Sequence, residues 1–261
     1  MASPSTPQPD KFTEVLRENQ ELRDALAQLQ EKSNQQAALA TTFSEQLQQF
    51  LYAASHDLQE PLRGIITYAQ LLDRQFAADP ANHEYTAFIL TGALRMRDLL
   101  QQLLVYSRAG IAKQRKVINL NVPLQMALLK LAPEIRDSGV RIIRDSLPEA
   151  IGDENEISQV FQHILNNSLK YQRSEATPEI TITAEQGSGE CTISLRDNGV
   201  GIDPRFCEQV LLPFKRLHGP EVPGSGLGLA ICQKIVFAHQ GRIRIESDGS
   251  HGTAVSFTLP I

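Results

Sequence analysis

The 261-residue chain has no tryptophan, three cysteines and few aromatic residues of any kind (6%). Cys191, Cys207 and Cys232 lie far apart, with no CxxC pair and no metal-ligand spacing. That argues against a disulfide scaffold or a zinc module and suits a reducing compartment. Positive charge is also short: 25 Lys and Arg against 30 Asp and Glu leave a formal net charge of −5, which argues against a dedicated nucleic-acid binder. No run of 18 apolar residues occurs, so no membrane span is expected. The opening MASPSTPQPD carries neither a basic n-region nor an apolar h-region, so no signal peptide and a cytoplasmic location are expected. Glycine is scarce in the front of the chain: of 16, only Gly64, Gly92 and Gly110 precede residue 139. Glycine is costly inside helices and favoured in turns, so a long helical front and a loop-rich back are expected. At roughly 150 residues per domain, the length allows one large or two small domains.

Residues 1–10 are rich in Ser, Pro and Gln and read as a disordered tail. From Phe12 a heptad fits, with a positions Phe12, Asn19, Leu26, Ser33, Ala40, Leu47 and Ala54 and d positions Val15, Leu22, Leu29, Gln36, Phe43 and Phe50. Its polar centre at Ser33 and Gln36 makes residues 11–49 a parallel coiled coil with a soft middle. A lone amphipathic helix folded onto the body is the competing reading. The helical pattern continues through an apolar stripe of Phe50, Ala54, Leu58, Leu62, Ile65, Ala69 and Leu72, with a kink expected at Pro61. FAADPANHE reads as a turn centred on Asp79-Pro80, and a second long helix follows, roughly Tyr85 to Ser107. Two such helices form a hairpin, and two hairpins from paired chains would close a four-helix bundle.

Beyond Gly110 the pattern becomes mixed. VINLN, VRIIRD, EITITAE, CTISLRDN, RIRIES and TAVSFTLP read as strands. PLQMALLKLAPEIRDSG reads as one helix ended by Gly139, a second helix starts near Asp153, and LGLAICQKIVFAHQ is a third, capped by Gly241. Without a regular strand–helix alternation, this half is expected to be α+β with a mixed, mostly antiparallel sheet.

Three constellations carry chemistry. His56 falls off the apolar stripe, and alone it would ordinarily be a solvated side chain. Asp57 follows it, and a carboxylate beside an imidazole can hold its tautomer and raise its basicity, making an exposed ring a competent phosphoryl acceptor. Asn166-Asn167-Ser168-Leu169-Lys170-Tyr171 is locally unfavourable inside a helix, which invites a binding role: Asn can offer an oxygen to Mg²⁺, and Lys170 can meet phosphate. Asp197-Asn198-Gly199-Val200-Gly201 ends a strand, and Gly224-Ser225-Gly226-Leu227-Gly228 opens a helix, where close backbone approach and free amide donors favour phosphate. No strand runs directly into the second glycine motif, so a Rossmann reading is poor.

The order SHDLQEPLR, NNSLKY, RDNGVG, LPFKR, PGSGLGLAI resembles the histidine kinases of two-component signalling, over roughly Phe50 to Ile261, and looks most like the phytochrome-type soluble kinases. Behind the coiled coil read from the heptads (11–49), the resemblance implies a multidomain architecture, α then α+β: a dimerisation and phosphoacceptor hairpin (50–110) and an α/β-sandwich ATP-binding domain (111–261). It implies that His56 accepts the phosphoryl group with Asp57 assisting, and that Asn167 coordinates Mg²⁺ while Lys170 lies near the phosphates. Tyr171 would face the adenine, Asp197 would accept from the adenine amino group, and Gly199 and Gly201 would shape that pocket. Phe214 and Arg216 would belong to the lid, and Gly224, Gly226 and Gly228 would close over the triphosphate. Implied partners are ATP with Mg²⁺, a second copy of the chain, a response-regulator receiver domain, and an upstream sensor acting through the coiled coil.

Three positions depart from the family pattern. His163 stands where a first asparagine is common, Leu211 where a phenylalanine commonly begins the lid, and Glu60 where strong phosphatases carry Thr or Asn. The first two keep open a degenerate kinase acting as a dimeric scaffold or phosphotransfer protein. An ATPase of the gyrase, Hsp90 or mismatch-repair type shares the ATP-binding fold, but it needs a catalytic glutamate where His163 stands.

Overall fold

A computed structural model describes residues 51–55, 57–76, 80–111, 115–217 and 224–261, and the single positions 20, 23, 30 and 31. The expected tail, most of the coiled coil and His56 lie outside the described residues. The chain divides into two units, Met1–Leu51 and Tyr52–Ile261. In the first, the four described positions are helical and exposed.

The second unit begins with α1, whose helical residues include 57–75 and run through Pro61 without a break. α2 spans Pro80–Arg108 and so starts earlier than the sequence pattern indicated. Pro80 itself opens it, because proline fits the first turn, where no intrahelical partner awaits its missing N–H. Across the hairpin, Thr86 donates to Asp73 Oδ1 at 2.7 Å, and His83 Nδ1 lies 2.8 Å from the same oxygen. Of the α1 stripe, Leu62 and Ala69 are buried, while Leu58, Ile65 and Leu72 remain exposed in the single chain.

The mixed half contains β1 (Lys116–Asn119), α3 (Asn121–Lys130), α4 (Ala132–Ser138), β2 (Arg141–Arg144), β3 (Glu149–Gly152), α5 (Glu154–Lys170), β4 (Glu179–Gln186), β5 (Glu190–Asp197), α6 (Gly228–Ala238), β6 (Ile243–Ser247) and β7 (Thr253–Pro260). Two expectations need correction here. The helix expected to run unbroken to Gly139 is two helices, parting at Leu131 just before Pro133, although Gly139 does end the second in a left-handed turn. The left-handed residue after α6 is Gln240, at φ 61°, rather than Gly241. A Cβ on Gly241 would collide with the Thr258 backbone, so that glycine serves close approach to β7.

The strand β3 was not legible in the sequence; it pairs antiparallel with β1 in a two-stranded sheet of its own. The main sheet has the order β2-β4-β5-β7-β6, parallel only between β2 and β4. Its register aligns Ile182, Leu195, Val255 and Ile245 in one row and Ala184, Ile193, Phe257 and Ile243 in the next. These rows face the helices. α5 lays Ile157, Val160, Phe161, Ile164, Leu165 and Ser168 on them at helical spacing, and Phe161 meets Phe257 edge to face at 5.6 Å. Asp197 ends β5 two residues beyond Leu195 and shares its face, which points it into the layer between sheet and α5.

Candidate active site

Asp153 caps α5, accepting from the amides of Asn155 at 2.9 Å and Glu156 at 3.0 Å. With that start fixed, the final turns of α5 bring Asn166, Asn167, Ser168 and Lys170 to the open end of the sheet. There they line a cavity of about 350 Å³.

Asp197 occupies this cavity with its carboxylate already held. Oδ2 accepts from Ser168 Oγ at 2.9 Å, while Oδ1 accepts from the amides of Gly199 and Thr253, each at 3.0 Å. The three donors come from α5, the turn after β5 and the start of β7, and they fix the carboxylate's orientation. Lone pairs remain on a group so placed, and it can accept from an amino group entering the cavity. Gly199 is packed too closely on the Tyr171 carbonyl to tolerate a side chain, and Val200 N–H donates to that carbonyl at 3.0 Å.

Lys170, Lys215 and Arg216 also line the cavity. Burial and repulsion from Arg216 hold the Lys170 ammonium below its ordinary pKa. Two cations brought together in a partly desolvated cleft are unfavourable alone and favourable around an anion. The Lys170 Nζ lies 3.9 Å from where a Gly224 side chain would begin, so the cation looks onto the glycine loop. Within that loop Gly226 adopts φ 75°, and a Cβ there would come within 2.8 Å of the Phe214 carbonyl carbon. Phe214 N–H donates to Gly226 O at 3.0 Å, and Phe214 is itself left-handed at φ 62°. Leu227 N–H donates to Ser225 Oγ at 3.1 Å, and α6 begins at Gly228.

His163 lines the same cavity, one α5 turn before Asn167, and its ring lies 3.4 Å from a Cβ built at Gly228. Burial, reinforced by the nearby Lys170 charge, lowers its pKa to about 4, so the ring is neutral at physiological pH. Leu211, the second departure, is buried in the main core.

The structure therefore gathers Asn167, Lys170, Tyr171, Asp197, Gly201, Arg216, Gly224, Gly226 and Gly228 around one cavity. Gly199 stands behind Asp197 rather than in the lining, and Phe214 points outward, more than half exposed. Asp57 lies on α1 and is exposed. Sequence reasoning missed Ser168 and Thr253 as holders of Asp197, Gln102 as a lining residue contributed by α2, and the apolar wall of Ile202, Val210, Ile245 and Val255. The signal for Ile245 and Val255 was period-two alternation in β6 and β7; for Ile202, Val210 and the contacts across the fold there was none.

No group of three or more His, Cys, Asp or Glu able to hold a metal occurs among the described residues. A metal in this cavity would rest on a neutral oxygen such as that of Asn167, together with oxygens of a bound anion. That donor set fits Mg²⁺, which accepts few protein ligands and prefers substrate phosphates.

A family model described as "Histidine kinase-, DNA gyrase B-, and HSP90-like ATPase" matches residues 152–261, and one described as "His Kinase A (phospho-acceptor) domain" matches residues 46–110. The chain is 38% identical over 220 residues to Cyanobacterial phytochrome A of Nostoc sp., covering 83% of this chain and 29% of that protein. It is 35% identical over 251 residues to Phytochrome-like protein Cph1 of Synechocystis sp., covering 95% and 32%. With Sensory histidine kinase/phosphatase NtrB of Escherichia coli O157:H7 it shares 32% over 219 residues, covering 79% and 60%. The chain thus spans about a third of the length of the two phytochromes it matches. Among solved structures, full-length ShkA in complex with AMPPNP superposes with a TM-score of 0.62 at 23% identity, covering 80% of this chain and 45% of that one. That likeness is one of fold.

Proposed function

From a chain that belongs to the histidine kinase family and carries both its phospho-acceptor and its ATPase segments, we propose an ATP-dependent protein histidine kinase that phosphorylates His56 and passes the phosphoryl group to a receiver-domain aspartate. The observation that carries this reading is the single cavity. It joins a fixed carboxylate suited to an adenine amino group, Asp197, to a pair of cations and a glycine loop suited to a triphosphate.

In this reading Asp197 selects adenine, Tyr171 and the apolar wall shelter the base, and Lys170 with Arg216 neutralises the phosphates. Mg²⁺, when bound with the nucleotide, neutralises further phosphate charge, and Asn167 would hold it. One ring nitrogen of His56 donates its proton to Asp57, which leaves the lone pair of the other free to attack the γ-phosphorus. A P–N bond forms as the P–O bond to ADP breaks, and catalysis is mainly positioning and charge neutralisation. In a second step the phosphoryl group moves from His56 to the receiver carboxylate.

The chain acts as a homodimer in this reading. Leu58, Ile65, Leu72, Phe88 and Ile89 are exposed along the described hairpin, and pairing two hairpins in a four-helix bundle would cover such a surface. Among the described residues no helix is long and apolar enough to cross a membrane. ATP dependence and three free thiols accord with a cytoplasmic site of action. The separate roles of residues 11–49, 50–110 and 111–261 (relay, acceptor and catalyst) belong to this same proposal.

Incubation with Mg²⁺ and γ-labelled ATP tests it. Acid-labile, base-stable label that disappears in His56→Gln is expected. Label that survives this substitution refutes the assignment, and ATP binding without any label points to the scaffold instead.

A further inference from the structure

α2 does not end in solvent. The last carbonyls of an α-helix have no partner within it. Two of them here, Tyr106 O and Ser107 O, accept from the Lys234 ammonium on α6 at 3.0 and 3.3 Å. The same Nζ lies 5.0 Å from the centroid of the Tyr106 ring. Immediately beyond the helix, Gly110 donates its amide to Glu156 Oε1 on α5 at 2.8 Å. Gly110 is left-handed, at φ 77°, and a Cβ there would come within 2.8 Å of the Ala238 side chain and 3.1 Å of Lys234 O. Only glycine permits this approach. The acceptor hairpin thus ends on a cation and an anion supplied by two helices of the ATP-binding half.

Both charges are costly where they stand. Glu156 is 8% exposed, and Lys234 is sufficiently buried for its ammonium to be disfavoured, an effect the nearby Glu156 carboxylate opposes. His239, fully buried 3.8 Å from Glu156, does not supply the counter-charge. Its Nε2 accepts from the Asp153 amide at 3.1 Å, and its Nδ1 lies 2.8 Å from the Ile235 carbonyl, so the ring is a neutral tautomer with the proton on Nδ1. Partly buried charges of this kind persist when hydrogen bonds satisfy them, and three such bonds here run to the hairpin's end: Tyr106 O and Ser107 O accept from Lys234, and Gly110 N–H donates to Glu156.

A third tie shows where the docked half meets the hairpin. One turn before Tyr106, the Gln102 side chain accepts from Ser225 Oγ at the centre of the glycine loop. Two cross-hairpin contacts, Asp73–Thr86 and Tyr52–Arg108, set a register that places Gln102 opposite residues 57–58 of α1. The loop suited to the triphosphate therefore meets the hairpin at the level of Asp57, which follows His56 in the sequence.

We propose that Lys234 and Glu156 are positioning residues that cap the end of α2 and thereby dock the ATP-binding half on the acceptor hairpin in the arrangement that delivers the phosphoryl group. The inference rests on the histidine kinase reading above. Neither side chain lines the nucleotide cavity, so their removal separates turnover from nucleotide binding.

The test uses the full chain, with three measurements on Lys234→Met, Lys234→Arg and Glu156→Gln: the rate of His56 labelling, the Kd for Mg-ATP, and hydrogen exchange of the peptide containing Gly110. For Lys234→Met, labelling should slow tenfold or more at saturating ATP, Kd should stay within twofold, and exchange should quicken. Lys234→Arg, which can still donate to both carbonyls, should recover most of the rate. Should Lys234→Met not fold, Glu156→Gln keeps an acceptor for Gly110 while removing the charge; slower labelling at unchanged Kd supports the proposal, and wild-type labelling overturns it. Wild-type rate and exchange in both variants also overturn it. If the wild type itself takes no label on His56, the kinase reading fails, and the Gly110 exchange alone then decides whether the two residues dock the halves.

Discussion

Ser168 and Asp197 are joined by a 2.9 Å hydrogen bond between the last turn of a helix and the last residue of a strand. This bond holds Asp197, the one carboxylate lining the cavity among the described residues, in an accepting orientation. A hydrogen bond to a charged group is worth about 1.5–3 kcal/mol, so Ser168→Ala should weaken ATP binding about tenfold, measured calorimetrically. Asp197→Asn should cost more, because an amide offers one oxygen where Ser168, Gly199 and Thr253 require acceptors on both atoms. A Kd unchanged in both variants would remove Asp197 from the site.

Lys170 sets stability against binding. Its ammonium is disfavoured in the folded state by burial and by Arg216. A lysine with a lowered folded pKa destabilises fully below that pKa, and the penalty fades as pH rises towards the ordinary lysine value. At pH 7 Lys170→Met should therefore raise the Tm of the nucleotide-free protein by a few degrees. The same variant should lose ATP affinity tenfold or more, since the bound phosphates lose one of the cations that line the cavity. A lower Tm in the variant would show that the two cations are not strained.

His163 should leave a signature in the acid range. Its folded pKa of about 4 lies below the ordinary 6.5, so the unfolded chain binds the extra proton first. Stability from this group is present above pH 6.5 and is lost as pH falls towards 4. His163→Asn should flatten that part of the profile in urea titrations between those limits. Parallel profiles for the two proteins would refute a buried neutral ring.

Glu60, exposed on α1 four residues after His56, stands where strong phosphatases of the family carry Thr or Asn. A carboxylate there repels an incoming aspartyl phosphate rather than orienting a water. Adding the protein to a phosphorylated cognate regulator should leave its decay rate unchanged, and Glu60→Thr should accelerate it severalfold. Robust dephosphorylation by the unsubstituted chain would sink this expectation.

Local chemistry made several parts of the molecule legible in the sequence. Asp153 signalled the start of α5, Gly139 the end of α4, and the alternation of EITITAE and CTISLRDN a hairpin with its buried face. The break at Leu131 was missed because the apolar pattern continues across Pro133, and the proline's effect on the preceding turn outweighs that pattern. β3 was missed because four residues, EAIG, carry too little periodicity to stand out, and only pairing with β1 makes them a strand.

What the sequence determined by itself is the set of short-range devices: glycines at left-handed turns, caps, periodicities, and the ordered motifs that bring acceptor and nucleotide chemistry into one chain. The tertiary structure decided everything that depends on residues distant along the chain. Asp197 takes its orientation from positions 168, 199 and 253, and Lys170 takes its strain from burial in the closed cleft and from Arg216. The hairpin's end takes its cap from Glu156 and Lys234, some 46 and 127 positions away from their partners. The reason is physical. Backbone conformation responds to neighbours within about one turn, whereas desolvation, hydrogen-bond completion and charge pairing depend on what the closed sheet and its helices bring together.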